Sequence, residues 1–432
     1  MSVDKSKIVH AIEACLPNIV VRIYRDKKFK ICTFIRKKRH TEIVNRLRKK
    51  QSPINVVFLA ISGSTWKYEY LYKLMLADSA FKPIVLVCPQ VNFDDAFMRD
   101  QMDKTFDFFK CRGYNVISSF DKKRNIFINL EELHPDILMY TNPYKGIFLP
   151  QYFIDSQKYT LPCYISYYYP TGISGYHDKL KAFESALWIN FMASTAEYQR
   201  AIYKTNCVVV GYPMFEAFKN GSCYGKDWKN QEKKFKRIIW APYHHIFPDD
   251  DQIIQCSTFL RYANLMWNIT EIYQDKVQFV LKPHPLLRAK LEKHHEWGKE
   301  RTDAYFELWR KGKNTNLVEG EYIDLFNSSD ALIHDCGSFI VEYLYTNNPV
   351  MYLANSSNYN VNIGTTGIEA LECHEIGFSE KDIVNFIHNI INETNDVKKD
   401  RRTTFYNENL LPPNGLTSSE NMLYVIKNKL NI

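Results

Sequence analysis

The chain has 432 residues, of which 45 % are hydrophobic and 24 % charged. Those proportions exclude wholesale disorder, and the length fits two or three domains at ~150 residues each. The ten cysteines are scattered and form no CxxC pair. That pattern argues against a zinc ribbon, a thioredoxin motif or a disulfide scaffold, and fits reduced thiols in a cytosol.

The opening residues, MSVDKSKIVH, hold no apolar core of a secretory signal. No window reaches the ~18 apolar residues that a spanning helix needs. The net charge of +8 is concentrated, because residues 1–50 carry 15 Lys and Arg against 4 Asp and Glu. RDKKFK (25–30), RKKRH (36–40) and RLRKK (46–50) alternate there with Ile31, Phe34, Ile35, Ile43, Val44 and Leu47. Basic residues beside apolar ones suit an anionic leaflet, at about 1 kcal/mol per Lys or Arg. A solvated helical face is the plainer alternative. The near-neutral remainder argues against nucleic acid, whose enzymes spread positive charge over an active face. Residues 1–51 therefore read as a separable, membrane-docking helical arm.

The pattern then alternates. NVVFLAI (55–61), PIVLVCP (83–89), NVIS (115–118), DILMYT (136–141) and CYISYY (163–168) read as buried strands, with helices predicted at 65–76 and 94–110. The polar stretch 220–236 reads as a linker. Strands restart at 237–242, 277–283, 316–320, 331–335 and 349–353, with helices at 253–273, 286–297, 322–328, 338–346, 380–391 and 419–430. Two doubly wound, Rossmann-like α/β domains follow, 52–225 and 226–432, facing a cleft. The final helix is a candidate to cross back to the first domain. Such a pair places a ligand outside the carboxyl ends of the strands.

Three motifs fall at those ends. HDCGS (334–338) opens a helix. There Gly337 allows close backbone approach, Ser338 is a candidate cap, and the first-turn amides of Cys336 to Ser338 suit a diphosphate. Asp335 would repel phosphate, so it accepts a ligand hydroxyl or fixes loop amides. KPHP (282–285) stiffens Lys282 and His284 between prolines, where a cation or imidazolium would stabilise a leaving phosphate. APYHH (241–245) supplies His244 and His245. As neighbours in an extended loop, at most one of them points into the cleft. No third ligand stands at a metal-binding spacing. His294 and His295 fall on a charged helix and read as solvated. P-loop and GxGxxG fingerprints are absent. In the first domain, the loop 167–179 carries His177 and Asp178, which would serve an acceptor hydroxyl as general base. The loop ISGSTWKYE (61–69) also faces that side.

SSDALIHDCGSFIVEYLYTNNPVMYL (328–353) resembles the signature of the CDP-glycerol glycerophosphotransferases of teichoic-acid and capsule synthesis, with Asp330, Asp335, Ser338, Pro349 and Tyr352 in step. RIIWAPYHH, KPHP and VVVGYPMFEAF (208–218) are similar to further segments of that family, which itself resembles GT-B glycosyltransferases. The likeness spans roughly 163–353. It implies a cytoplasmic transferase, peripheral on the inner face of the membrane and without a cofactor. Such an enzyme moves a polyol phosphate from CDP-glycerol or CDP-ribitol to a polymer or lipid-linked acceptor. By position, His284 would act in catalysis, and Asp335, Gly337 and Ser338 on the donor phosphates. Tyr-Pro-Thr-Gly replaces the family's frequent His-Gly after the first-domain strand. That change keeps a nucleotide-sugar glycosyltransferase open as the alternative, with a 2-epimerase-like isomerase behind it.

Overall fold

The computed structural model describes residues 18–171, 176–221, 223–232, 234–247, 257–360, 363–394 and 396–432. Its first sheet has seven strands in the order Val116–Ser118, Phe81–Val87, Ile54–Ala60, Ile137–Tyr140, Leu161–Ile165, Ile189–Met192 and Cys207–Val209. The second has six, in the order Thr315–Leu317, Val277–Leu281, Lys236–Ala241, Ala331–His334, Val350–Leu353 and Glu375–Gly377. Every neighbouring pair in both is parallel. The protein is α/β, with two Rossmann-like units facing a cleft.

The apolar runs explain the layering. Along Ile54–Ala60, side chains alternate between faces. Val56 and Phe58 pack with Tyr72 and Met75 of the helix Glu69–Ala77, whereas Val57 and Leu59 pack with Tyr140, Tyr152 and Phe183 on the opposite face. Helices on both faces leave these residues without solvent contact.

The helix Asn18–Leu47 is a single span of 30 residues. Thr33, Ile43 and Leu47 are buried, and Ile43 and Leu47 belong to the first sheet's core. Arg36 pairs with Asp155 at 3.2 Å, Lys50 pairs with Asp136, and the Arg48 guanidinium donates to the Lys429 carbonyl at 3.0 Å. The end of the arm is therefore built into the body. Its outer face leaves Ile31 and Phe34 exposed. Among the described residues no helix is long and apolar enough to cross a membrane.

The helix Ser418–Leu430 returns to the first unit and buries Met422, Ile426 and Leu430 in its core. Its start is fixed by a Thr417–Glu420 capping box and by the Ser418 hydroxyl, which donates to the Gly211 carbonyl at 2.7 Å. A shared core joins the units, where Tyr169 and Ala193 meet Tyr212, Phe215 and Ile239.

Described residues of the linker stretch 220–236 dock on the second unit. The Tyr224, Gly225 and Lys226 amides donate to the Asp324 carboxylate at 2.7, 3.3 and 3.1 Å, and Trp228 is buried. The helix expected over 286–297 ends at Lys293. Gly298, at φ +64, turns the chain into a second helix, Gly298–Lys311, that buries Tyr305, Phe306 and Trp309. That turn tucks His294 against Phe247, so His294 is buried and only His295 meets solvent.

Candidate functional site

In both sheets the strand order reverses beside the first strand, which opens a crevice at the carboxyl ends. In the second unit the loops after Ala241 and His334 flank that point.

Asp335 ties these loops together. Its Oδ1 accepts from the Tyr243 amide at 2.5 Å, and its Oδ2 from the Thr258 amide and hydroxyl at 2.5 and 2.7 Å. The Ser257 hydroxyl donates to the same oxygen at 3.4 Å. The carboxyl is 1 % exposed. Burial pushes its pKa up while the donors pull it down. Both oxygens are spent within the protein. Of the two roles expected for Asp335, the geometry favours fixing loop amides over meeting a ligand.

The KPHP loop extends the sheet pattern. The Lys282 amide donates to the Trp240 carbonyl at 2.8 Å and the His284 amide to the Pro242 carbonyl at 3.0 Å. This registration sets the His284 ring 4.1 Å from that of His244 and 4.9 Å from that of Tyr243, centroid to centroid. His284 Nδ1 accepts from the Leu286 amide at 3.2 Å. The neutral ring then carries its proton on Nε2, as a donor. Burial lowers the His284 pKa to about 3, with His244, Lys282 and His245 adding repulsion. The imidazole is thus uncharged at neutral pH. Lys282 is buried, its ammonium 6.0 Å from the centre of the Tyr322 ring, and burial lowers its pKa.

His244 and His245 stand nearly perpendicular at 4.3 Å, and both touch Tyr243. The His244 ring lies against that of His284. Cys336 is buried. Its amide donates to His334 Nδ1 at 3.2 Å, and its sulfur lies 3.2 Å from Ser338 Oγ. Ser338 does not cap the next helix. It sits at φ −69, ψ −30, already helical, whereas a capping side chain needs extended backbone. That helix, Phe339–Glu342, is one α turn continued by the 3₁₀ turn Tyr343–Thr346. The expected helix-dipole contribution shrinks accordingly. Gly337 and Ser338 keep solvent access.

The first unit supplies the facing wall. Tyr144 hydrogen-bonds with Tyr167 and Tyr168. Burial, then Tyr144 and Tyr243, push the Tyr167 phenol up. His177 and Asp178 lie in the first turn of the helix Tyr176–Glu184. Their side chains, and residues 172–175, lie outside the described residues.

Sequence reasoning missed one buried contact across the cleft. Lys67, in the loop after the first strand, lies 3.7 Å from Glu342, which also accepts from Tyr212 at 3.4 Å and from Tyr322. Glu342 occurs in an apolar helix stretch with no motif to mark it. Its only signal was a carboxylate on a face that has to be buried.

No curated protein matches the chain. Among solved structures, a variant of the wall teichoic acid polymerase TagF superposes with a TM-score of 0.59 at 13 % identity, covering 93 % of this chain and 98 % of that one. A TagF crystal soaked with CDPG gives 0.56 at 13 % identity over the same shares. The UDP-GlcNAc 2-epimerase from Neisseria meningitidis bound to UDP-GlcNAc gives 0.54 at 12 % identity, covering 88 % and 100 %. These likenesses establish the GT-B-like fold. The family model described as CDP-Glycerol:Poly(glycerophosphate) glycerophosphotransferase matches residues 190–426. That is more than half of the sequence and extends beyond the signature at 328–353, so the chain belongs to this family of glycerophosphotransferase enzymes.

Proposed function

We propose that this enzyme transfers a polyol phosphate, glycerol phosphate first of all, from a CDP-activated donor to a hydroxyl of a surface-polymer or lipid-linked acceptor, and releases CMP. The acceptor oxygen attacks the β-phosphorus. The bond from that phosphorus to the bridging oxygen breaks, and the bridging oxygen leaves with CMP. The observation that supports this most is the locked meeting of the 242–245, 282–285 and 335–338 loops at the second sheet's switch point.

His284 donates from Nε2 to the leaving oxygen, a role worth about 10²–10⁴ in rate for a positioned acid. An anionic diphosphate beside it would raise its low pKa toward the useful range. Lys282 offsets phosphate charge. Gly337, Ser338 and the Cys336 amide line the phosphate path, and His244 and His245 orient the nucleotide. Asp335 positions the loops. His177, with Asp178, takes the acceptor proton. The division of labour is donor on 226–432 and acceptor on 52–225. The basic arm, residues 1–51, holds the enzyme against an anionic cytoplasmic leaflet.

Incubation of labelled CDP-glycerol or CDP-ribitol with membrane acceptor should release CMP, faster with the glycerol donor. His284→Gln should cut kcat by about 10²-fold or more with little change in KM. Absence of turnover with either donor, alongside turnover of a UDP-sugar, would replace the proposal with a glycosyltransferase.

A further inference from the structure

Away from the cleft, the helix Asn18–Leu47 lies over the segment leading into the strand Leu161–Ile165. Between them is a recess lined by Arg36, Arg39, His40, Lys158 and Thr160. The recess itself is about 10 Å³, room for a single oxygen-sized group, and Arg39 and Lys158 also border a neighbouring hollow of about 350 Å³ with Glu42 and Arg46.

The charges around it do not balance. Arg36 is paired with Asp155, and Arg46 reaches Asp136 at 3.9 Å. Among the described residues, Arg39 and Lys158 have no carboxylate at ion-pair distance, and Glu42 is the remaining acid on the rim. His40 registers the excess. Burial, then Arg36 and Arg39, bring its pKa down to about 4. Thr160, 6 % exposed, faces the same recess, and its hydroxyl has no hydrogen-bond partner. A buried hydroxyl left unpaired costs about 1–3 kcal/mol, so a ligand oxygen there is favoured.

The outer helix face is different. Ile31, Ile35 and Arg39 follow at four-residue spacing and so share one stripe. Ile31 is 60 % and Ile35 42 % exposed. Apolar side chains therefore run up to the mouth of a cationic recess. That combination fits an interface where acyl chains and phosphates lie side by side.

We propose that this recess binds the phosphate of an anionic lipid headgroup, with Arg39 and Lys158 as its charged partners and the Thr160 hydroxyl as a donor. The inference rests on the membrane reading of the arm but adds a separate claim. Headgroup phosphate is recognised, beyond net negative charge. Free phosphate would satisfy the same groups, and the apolar stripe is what favours the lipid.

The test uses the full chain and vesicles of a neutral galactolipid, doped to equal surface potential with either phosphatidylglycerol or oleate. The intact protein should bind the phosphatidylglycerol vesicles about tenfold more tightly, the size of one charge-assisted hydrogen bond. Arg39→Gln with Lys158→Gln, and separately Thr160→Val, should erase that preference, with thermal melting confirming the fold and CMP release from CDP-glycerol unchanged. Equal binding of both vesicles by the intact protein would overturn the recess and leave the arm reading standing. Binding of neither would overturn the arm reading as well. In a calorimetric arm with CMP saturating the cleft, inorganic phosphate binding that Thr160→Val weakens, without any vesicle preference, would overturn the lipid assignment.

Discussion

Replacing Asp335 tests how the second unit's loops are held. In Asp335→Ala the Tyr243 and Thr258 amides and the Thr258 hydroxyl lose their acceptor at a fully buried place. Each orphaned donor costs about 1–3 kcal/mol, so the sum is about 3–6 kcal/mol after some return from no longer burying a charge. A folded domain has only about 5–15 kcal/mol to lose. Asp335→Asn keeps one accepting oxygen but turns an NH2 group toward the other donors, and should cost about half as much. Urea unfolding gives the stability, and CMP affinity gives the site. The expected result is a clear loss for Ala, a smaller one for Asn, and CMP binding weakened about tenfold in both as Tyr243 and His244 drift from His284. Unchanged stability and unchanged CMP affinity in Asp335→Ala would refute the idea that this carboxylate organises the crevice.

Three further outcomes are expected. Gly367→Ala should separate the units where they touch, since a Cβ there would lie 2.2 Å from Ile363 Cγ2 and 3.0 Å from the Thr171 carbonyl oxygen. A melting temperature lowered by about 1–3 kcal/mol of destabilisation, with a raised KM for acceptor, would show it. Lys67→Met strands Glu342, which is 2 % exposed, and should destabilise the protein by about 3–5 kcal/mol; adding Glu342→Gln should recover most of the loss. Acid should also unfold the protein early. Burial lowers His374 to about 3 and His334 well below its usual value, so the unfolded chain, with histidines near 6.5, binds more protons. Stability should therefore fall as pH drops from 6.5 toward 3, by up to about 1.4 kcal/mol per pH unit per histidine. His374→Gln should flatten that slope in pH-dependent urea titrations.

Much of this was legible in the residues. Continuous apolar runs such as NVVFLAI and VQFVL could only be strands covered on both faces. The chemistry-bearing motifs stood right after them, so a parallel sheet had to gather them on one edge. What stayed hidden depends on partners far away in the chain. Which of the two roles expected for Asp335 it takes is decided by Tyr243 and Thr258, distant in the chain, arriving to occupy it. Ser338 has the composition of a cap but not the backbone dihedrals. Lys67 and Glu342 are remote in sequence, and neither carries a pattern that announces the other. The helix expected over 286–297 stops at Lys293, and the helix Gly298–Lys311 that follows it was not among the expected elements. The arm's charge was plain, whereas the burial of Ile43 and Leu47 was not, since the basic residues around them mask the apolar spacing.

The helix Ser418–Leu430 gives the polypeptide an order of assembly. The six-stranded unit is complete once its own residues have left the ribosome, and it can collapse while synthesis continues. The seven-stranded unit, although made first, lacks Met422, Ile426 and Leu430 until residues 418–430 have been made. During translation its helix Glu69–Ala77 waits with an uncovered apolar flank, a state prone to aggregation. A chain cut before residue 418 should therefore hold a finished six-stranded half beside an unfinished seven-stranded half, and would be a natural client for chaperones.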